Sequence, residues 1–149
     1  MFLGEYRHSI DNKDRLTVPA RYRELMDEGA YIVRGFDRNL MVLTTKAFEA
    51  ISHRIDQMSM TDPLARGLKR LIFSSASRLE IDKAGRILIP DFLCQTVGLA
   101  CDHEVVVVGQ GSYFEIWSTD EWTLQQQALA ETEANSERFK VLDLSTNAG

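Results

Sequence analysis

Two aspartate–arginine pairs with the same spacing are the residues of this 149-residue chain best suited to chemistry. Asp11 precedes Arg15, and Asp82 precedes Arg86, with three residues inside each pair. A carboxylate beside a guanidinium stays ionised and is a poor general acid, because the positive charge lowers its pKa. The arginine can instead contact phosphates or take both acceptors of a guanine edge. The pairs therefore predict binding of a nucleic acid and not catalysis.

Both pairs lie inside a longer internal repeat. The segment 7–19 reads RHSIDNKDRLTVP and the segment 78–90 reads RLEIDKAGRILIP, so that the frame R-x3-D-x3-R-x3-P recurs without a gap. The similarity resumes from Gly35 and from Gly109, after a difference of three residues in length. The chain therefore contains two copies of one structural plan. Three apolar positions also correspond, since Ile10, Leu16 and Val18 align with Ile81, Ile87 and Ile89.

The three residues between each Asp and its Arg fit a hairpin loop whose last residue has a left-handed conformation. Gly85 adopts that conformation easily, and Asp14 at the same place tolerates it better than most residues do. This difference predicts two unequal loops. Pairing outward from the first loop puts Ile10 opposite Leu16, and His8 opposite Val18, on an apolar face. The other face of this hairpin would carry Arg7, Ser9, Asp11, Arg15 and Thr17.

The positive charges of the chain are concentrated in these two copies, although the net charge is −5. Residues 7–23 carry five Lys or Arg against two Asp, and residues 66–86 carry six against two acidic residues. A single Asp–Arg pair is most often a surface ion pair, but duplication within the two basic segments favours nucleic acid. A two-stranded ribbon also fits the major groove. We expect the DNA contacts to be Arg15 and Arg86, followed by Lys13, Lys83, Arg7 and Arg78.

Hydrophobic periodicity predicts an α+β fold of two ββαββ units with additional helices. The first copy has strands near 5–11, 15–18, 30–35 and 40–44 and a short helix near 19–28. The second has strands near 76–82, 86–89, 103–108 and 112–117 and a helix from Pro90 to Val97, ended by Gly98. We assign residues 1–58 to the first copy with its closing helix, 59–75 to a linking helix, 76–144 to the second copy, and 145–149 to a disordered tail.

The sequence gives no sign of a metal, a cofactor or a small-molecule substrate. Cys94 and Cys101 have no neighbours at the spacing of a zinc site, and we expect both to be reduced. The three histidines also lack a companion at metal-ligand spacing, and His8 falls on the predicted apolar face. No apolar run approaches the ~20 residues that a membrane span needs. We therefore expect a cytoplasmic protein that does not bind a membrane.

The doubled Asp-x3-Arg motif, the 71-residue offset and the opening Phe2-Leu3-Gly4 resemble the MraZ family over the chain to about Leu144. MraZ proteins are bacterial transcriptional regulators encoded at the head of the division and cell-wall gene cluster. The resemblance implies an AbrB-like swapped-hairpin or double-psi-like barrel, with both halves supplied by one chain. It also implies a nucleoid-associated, ring-like homo-oligomer that binds short direct repeats in the promoter of its own operon, usually as a repressor. Carried over by position, Arg15, Arg86, Lys13 and Lys83 would lie on hairpins that face DNA.

Two other functions stay open at this point. One is a barrel enzyme that uses Asp11 and Asp82 as paired acids, which the ionised state of both side chains disfavours. The other is a protein-interaction module of the antitoxin type, for which the helical segment from Trp122 to Leu144 is the candidate binding tail. Leu88, on the outward face of the second copy, is a candidate contact between subunits.

Overall fold

A computed structural model describes residues 1–100 and 102–144, so Cys101 and the tail 145–149 lie outside the described residues. The chain divides into two compact units, Met1–Thr119 and Asp120–Gly149. Within the described residues, no helix is long and apolar enough to cross a membrane.

The first unit contains the two copies in the predicted order of strands and helices. The structure confirms this order but shortens the first helix, α1, which the sequence predicts near 19–28. The helix ends at Leu25, because the backbone leaves the helical conformation and turns through Gly29 at φ 96°. Gly98 ends the matching helix in the left-handed conformation, as predicted. The elements are β1 Glu5–Ser9, β2 Arg15–Thr17, α1 Ala20–Leu25, β3 Ala30–Arg34, β4 Leu40–Thr44, α2 Thr45–Asp56, α3 Pro63–Ser75, β5 Ser77–Leu79, β6 Arg86–Leu88, α4 Asp91–Val97, β7 Glu104–Gly109 and β8 Tyr113–Ser118.

The strands form an antiparallel sheet of six, in the order β1-β7-β8-β4-β3-β5, and a separate antiparallel pair of β2 with β6. The first strand of each copy therefore pairs with the other copy: β1 lies beside β7, and β5 lies beside β3. We call the β2–β6 pair the ribbon. This exchange of strands between the copies confirms the swapped-hairpin, barrel-like α+β fold.

The exchange makes one predicted pairing wrong. Next to the loop the first hairpin forms as predicted, with Asp11 facing Arg15 and a bridge between Ile10 and Leu16. His8 lies opposite Val105 and not opposite Val18. Joining the copies gives one shared core, and a larger unit buries a greater fraction of its surface than two half-size units can.

The core lies between the ribbon and one face of the six-stranded sheet. Leu16 and Ile87 of the ribbon are fully buried and belong to the same apolar cluster as Ile32, Val42 and Ile116 of the sheet. The opposite face of the sheet carries a smaller cluster of Val33, Met41 and Leu43. Helices α2 and α3 contact strands on that face. The sheet thus separates the ribbon from α2 and α3.

Both helices on the far face begin at side-chain caps. The Oγ1 atom of Thr44 accepts a hydrogen bond from the backbone N–H of Ala47 at 3.1 Å. A carboxylate oxygen of Asp62 accepts one from Leu64 at 2.9 Å, and Pro63 occupies the first turn. Each cap satisfies a backbone donor that the first helical turn leaves without a partner.

The second unit is helical. It consists of α5, which spans Thr119–Leu129 across the boundary between the units, α6 at Thr132–Phe139 and a 3-10 turn at Lys140–Leu142. Leu124, Leu129 and Phe139 are exposed there.

Candidate nucleic-acid interface

The ribbon brings the two motif arginines onto one surface. In its register Arg15 lies opposite Leu88, Leu16 opposite Ile87, and Thr17 opposite Arg86. Successive side chains of a strand point to opposite faces, and the middle pair of this ribbon is buried. Both arginines therefore lie on the outer face as diagonal neighbours, a placement that typically separates two residues by about 7–8 Å.

Each arginine is the last residue of a loop whose shape its own aspartate fixes. Loop 1 is residues 11–15 and loop 2 is residues 82–86. In loop 1, Oδ1 of Asp11 accepts backbone N–H bonds from Lys13 and Arg15, both at 2.9 Å. Its Oδ2 accepts from Nε of Arg15 at 2.8 Å. The carboxylate thus fixes the loop backbone and the arginine side chain together.

Loop 2 repeats this arrangement. Oδ1 of Asp82 accepts from the backbone N–H groups of Ala84 and Arg86, both at 2.9 Å, and Oδ2 accepts from Nε of Arg86 at 3.0 Å. The last residue before each arginine is left-handed, with φ 58° at Asp14 and 78° at Gly85. The two loops predicted to be unequal therefore have the same internal hydrogen bonds.

The hydrogen bonds hold both aspartates in the ionised form. The backbone N–H of Arg15 is the largest cause that lowers the pKa of Asp11, and that of Arg86 does the same for the pKa of Asp82. The nearby guanidinium groups add to the effect. Both carboxylates therefore orient arginines and shape loops, and neither is suited to donate a proton.

The guanidinium groups keep donors available at the surface. The side chains of Arg15 and Arg86 are 30% and 32% exposed. In each case the hydrogen bond to aspartate uses Nε, and the terminal nitrogens make no other hydrogen bond among the described residues. Lys13 and Lys83 are exposed on the same two loops. The ribbon and its two loops therefore combine two oriented guanidinium groups with two exposed lysines.

The other two predicted arginines lie elsewhere. Arg7 is on β1, where Nη1 contacts Glu104 Oε1 at 3.1 Å and Nη2 contacts Glu5 Oε1 at 3.7 Å. Arg78 is exposed on β5, opposite Tyr31. Because β1 and β5 are the edge strands of the large sheet, Arg7 and Arg78 do not share the ribbon face with Arg15.

Arg23 is a residue near the ribbon that the sequence did not single out. Its Nε donates to the carbonyl oxygen of Val18 at 3.0 Å. A Cβ atom built on Gly85 would lie 2.2 Å from Cζ of Arg23, so the guanidinium covers loop 2 at this glycine. The sequence does contain a sign of this corner, because the two copies differ at both of its residues. Arg23 aligns with Cys94, and Gly85 aligns with Asp14.

A family model described as "MraZ protein, putative antitoxin-like" matches the chain twice, at residues 1–71 and 72–142. The chain belongs to the MraZ family. The two matched segments correspond to the two copies whose exchange of strands builds the MraZ-type barrel and its ribbon.

Curated relatives within this family cover most of the chain. Proteins named "Transcriptional regulator MraZ" are 40% identical in Herpetosiphon aurantiacus, over 88% of this chain and 90% of the relative, and 40% identical in Roseiflexus castenholzii, over 93% and 94%. The protein of that name from Dictyoglomus turgidum is 44% identical over 82% of each chain. The solution structure of PHS018 from Pyrococcus horikoshii is 11% identical, with a TM-score of 0.33 over 78% of this chain and 88% of that one, too low to bear on the fold.

Proposed function

We propose that this MraZ-family chain is a sequence-specific DNA-binding transcriptional regulator. The single observation that carries the proposal is the placement of Arg15 and Arg86 together on the outer face of the ribbon. The names of the relatives support the regulatory role. In the finer proposal, the chain represses its own division and cell-wall operon by occupying short direct repeats in the promoter.

The charge balance of the ribbon indicates what each residue type contributes. Arg15 and Arg86 are paired with Asp11 and Asp82, so each pair is close to neutral and attracts distant phosphates weakly. A guanidinium fixed at Nε still presents its terminal donors, which can take both acceptors of a guanine. The two arginines therefore read base edges, and exposed Lys13 and Lys83 contact phosphates.

The spacing of the arginines fits this role. Bases along one strand of B-DNA rise by about 3.4 Å each, so two steps span roughly 6.8 Å. The typical separation of diagonal neighbours, about 7–8 Å, is close to this span. One ribbon can therefore address two base pairs that lie two steps apart.

A ribbon with two arginines makes few base contacts, and an oligomer compensates for this. Several ribbons held at a fixed spacing raise the affinity for repeated boxes through effective concentration. We accordingly propose a ring-like homo-oligomer on direct repeats. Native mass spectrometry of the free protein tests the ring, and footprinting on the upstream DNA tests the repeats.

The decisive comparison is between Arg15→Ala and Lys13→Ala, measured on upstream DNA and on scrambled DNA at one salt concentration. Loss of a bidentate guanine contact lowers the preference for upstream DNA roughly 5- to 150-fold, which corresponds to about 1–3 kcal/mol. Loss of a phosphate contact weakens both affinities and leaves their ratio unchanged. A wild-type protein with no preference for its upstream DNA would refute the proposal.

The second candidate function is binding of a protein partner, and exposed Leu124, Leu129 and Phe139 on the C-terminal unit favour it. Polar substitutions at Leu124 and Leu129 then change expression of the operon, whereas Arg15→Ala and Arg86→Ala leave both expression and DNA binding unchanged. The opposite pattern supports the DNA-binding regulator.

A further inference from the structure

The two copies differ at one corner of the ribbon, where Arg23 meets loop 2. Its Nε atom is fixed on the carbonyl oxygen of Val18 at 3.0 Å, and the backbone N–H of Val18 donates to the carbonyl oxygen of Gly85 at 2.8 Å. A Cβ atom on Gly85 would lie 2.2 Å from Cζ, 2.4 Å from Nε and 2.6 Å from Nη2 of Arg23. Only a glycine lets the guanidinium lie this close to the loop.

The matching corner at loop 1 is built from different residues. There the backbone N–H of Ile89 donates to the carbonyl oxygen of Asp14 at 2.8 Å, which repeats the bond between Val18 and Gly85. The counterpart of Arg23 is Cys94, whose side chain is buried. The two departures from the repeat thus occur together: an arginine over a glycine at loop 2, and a cysteine with an aspartate at loop 1.

This difference makes the charges at the two ends of the ribbon unequal. The internal Asp–Arg pairs of the loops are alike, but the loop 2 end gains the cation of Arg23, where the matching corner of loop 1 has the buried side chain of Cys94. Among the described residues, Arg23 has no carboxylate within ion-pair distance. Asp27, Glu28 and Glu80 line the same cavity as Arg23. The guanidinium is nevertheless held by a backbone carbonyl and not by a carboxylate, so its charge can meet an external anion.

We propose that Arg23 is a further DNA contact, to a backbone phosphate beside loop 2, and that it fixes the direction in which the ribbon lies on DNA. This inference rests on the proposed function. The two strands of a duplex offer a pseudo-symmetric ribbon two docking orientations of nearly equal energy. A phosphate contact at loop 2 that has no counterpart at loop 1 selects one of them. Direct repeats require this selection, because every protomer must face the same way along the DNA.

The test compares Arg23→Met with Arg23→Lys. Both variants lose the guanidinium and its bond to Val18 and keep an unbranched stem over Gly85, but only the lysine keeps the positive charge. Affinity for a duplex with one box is measured between 50 and 200 mM salt. Arg23→Met loses one phosphate contact, so its salt slope is smaller by about 0.9 and this rise in salt weakens it roughly 3.5-fold less than wild type.

Arg23→Lys keeps the wild-type slope if the charge is what matters. A merely structural role changes both variants equally and leaves the slope alone. Arg54→Met is the matched control, because Arg54 lies on α2, which the sheet separates from the ribbon. Its slope stays within error of wild type.

Direction is read from photo-crosslinking groups placed at Asn12 in loop 1 and at Ala84 in loop 2. In the wild-type background the two probes mark opposite ends of the box, and with Arg23→Met each probe marks both ends. The inference about Arg23 is overturned if Arg23→Met and Arg23→Lys have equal salt slopes and the crosslinking pattern is unchanged. The proposed function survives that outcome as long as Arg15→Ala still weakens binding. If the wild-type protein binds its box no better than scrambled DNA, both the proposed function and the inference about Arg23 fail.

Discussion

Replacement of Gly85 by alanine tests the corner at which Arg23 covers loop 2. Gly85 has φ 78°, and its new Cβ would lie 2.2 Å from Cζ of Arg23. A left-handed conformation costs a non-glycine residue about 1–2 kcal/mol. Displacement of the guanidinium also breaks the 3.0 Å bond from Nε to Val18, which contributes about 0.5–1.5 kcal/mol.

Two other glycines separate these contributions. Gly111 has φ 80° with no heavy atom within 4 Å of an added Cβ, so Gly111→Ala carries the conformational cost alone. Gly67 lies inside α3 and is equally open, and Gly67→Ala stabilises the protein by about 0.5–1 kcal/mol because alanine favours a helix. Alanine also restricts the unfolded chain by about 0.4–1 kcal/mol at each site, which cancels when Gly85 and Gly111 are compared.

Urea unfolding measures all three variants at one protein concentration, because the stability of the proposed oligomer would depend on that concentration. We expect Gly85→Ala to lower the free energy of unfolding by about 0.5–1.5 kcal/mol more than Gly111→Ala does, from the lost Arg23 bond. Equal losses of unfolding free energy in Gly85→Ala and Gly111→Ala would show that Arg23 does not lie against Gly85.

Three further predictions concern the core and the titrating groups. Ile87→Ala lowers the free energy of urea unfolding by about 2–5 kcal/mol, whereas Leu88→Ala, at a site 61% exposed, changes it by about 0.5 kcal/mol or less. Burial raises the pKa of Tyr22 to about 12, so wild-type stability falls as the pH rises from 10 towards 12. Burial also raises the pKa of Tyr113, so thermal melts of Tyr22→Phe show a shallower fall and not its complete loss. The lowered pKa values of Asp11 and Asp82 give stability that is present above the ordinary pKa of 3.8 and lost as the pH falls through their folded values; acid titration of Asp11→Asn with Asp82→Asn shows a shallower fall.

The loops could be predicted from the sequence because their determinants are local. The spacing from Asp82 to Arg86 fixes which amides the carboxylate can reach, and Gly85 indicates the left-handed residue before the arginine. The bridge between Ile10 and Leu16 followed from the same loop geometry. A repeat of these features predicted two copies with the same order of elements.

The exchange of strands could not be worked out from local patterns. A hairpin and a swapped pair have the same alternation of apolar residues and the same loop, and they differ only in which distant strand supplies the partner. The local pairing therefore put His8 opposite Val18 and Arg7 on the ribbon face, whereas β1 pairs with β7 at the sheet edge. Arg23 was missed because its partner, Gly85, is distant in sequence.

A double-mutant cycle between the ribbon and the DNA tests whether Arg15 and Arg86 read base edges. Each guanine of the footprinted box is replaced in turn by 7-deazaguanine, which lacks the N7 acceptor, and affinities are measured with wild type, Arg15→Ala and Arg86→Ala. We expect Arg15 to couple to one guanine and Arg86 to a guanine two base steps away, each by about 1 kcal/mol or more. The absence of coupling at every guanine, with both variants binding as wild type does, would contradict this expectation.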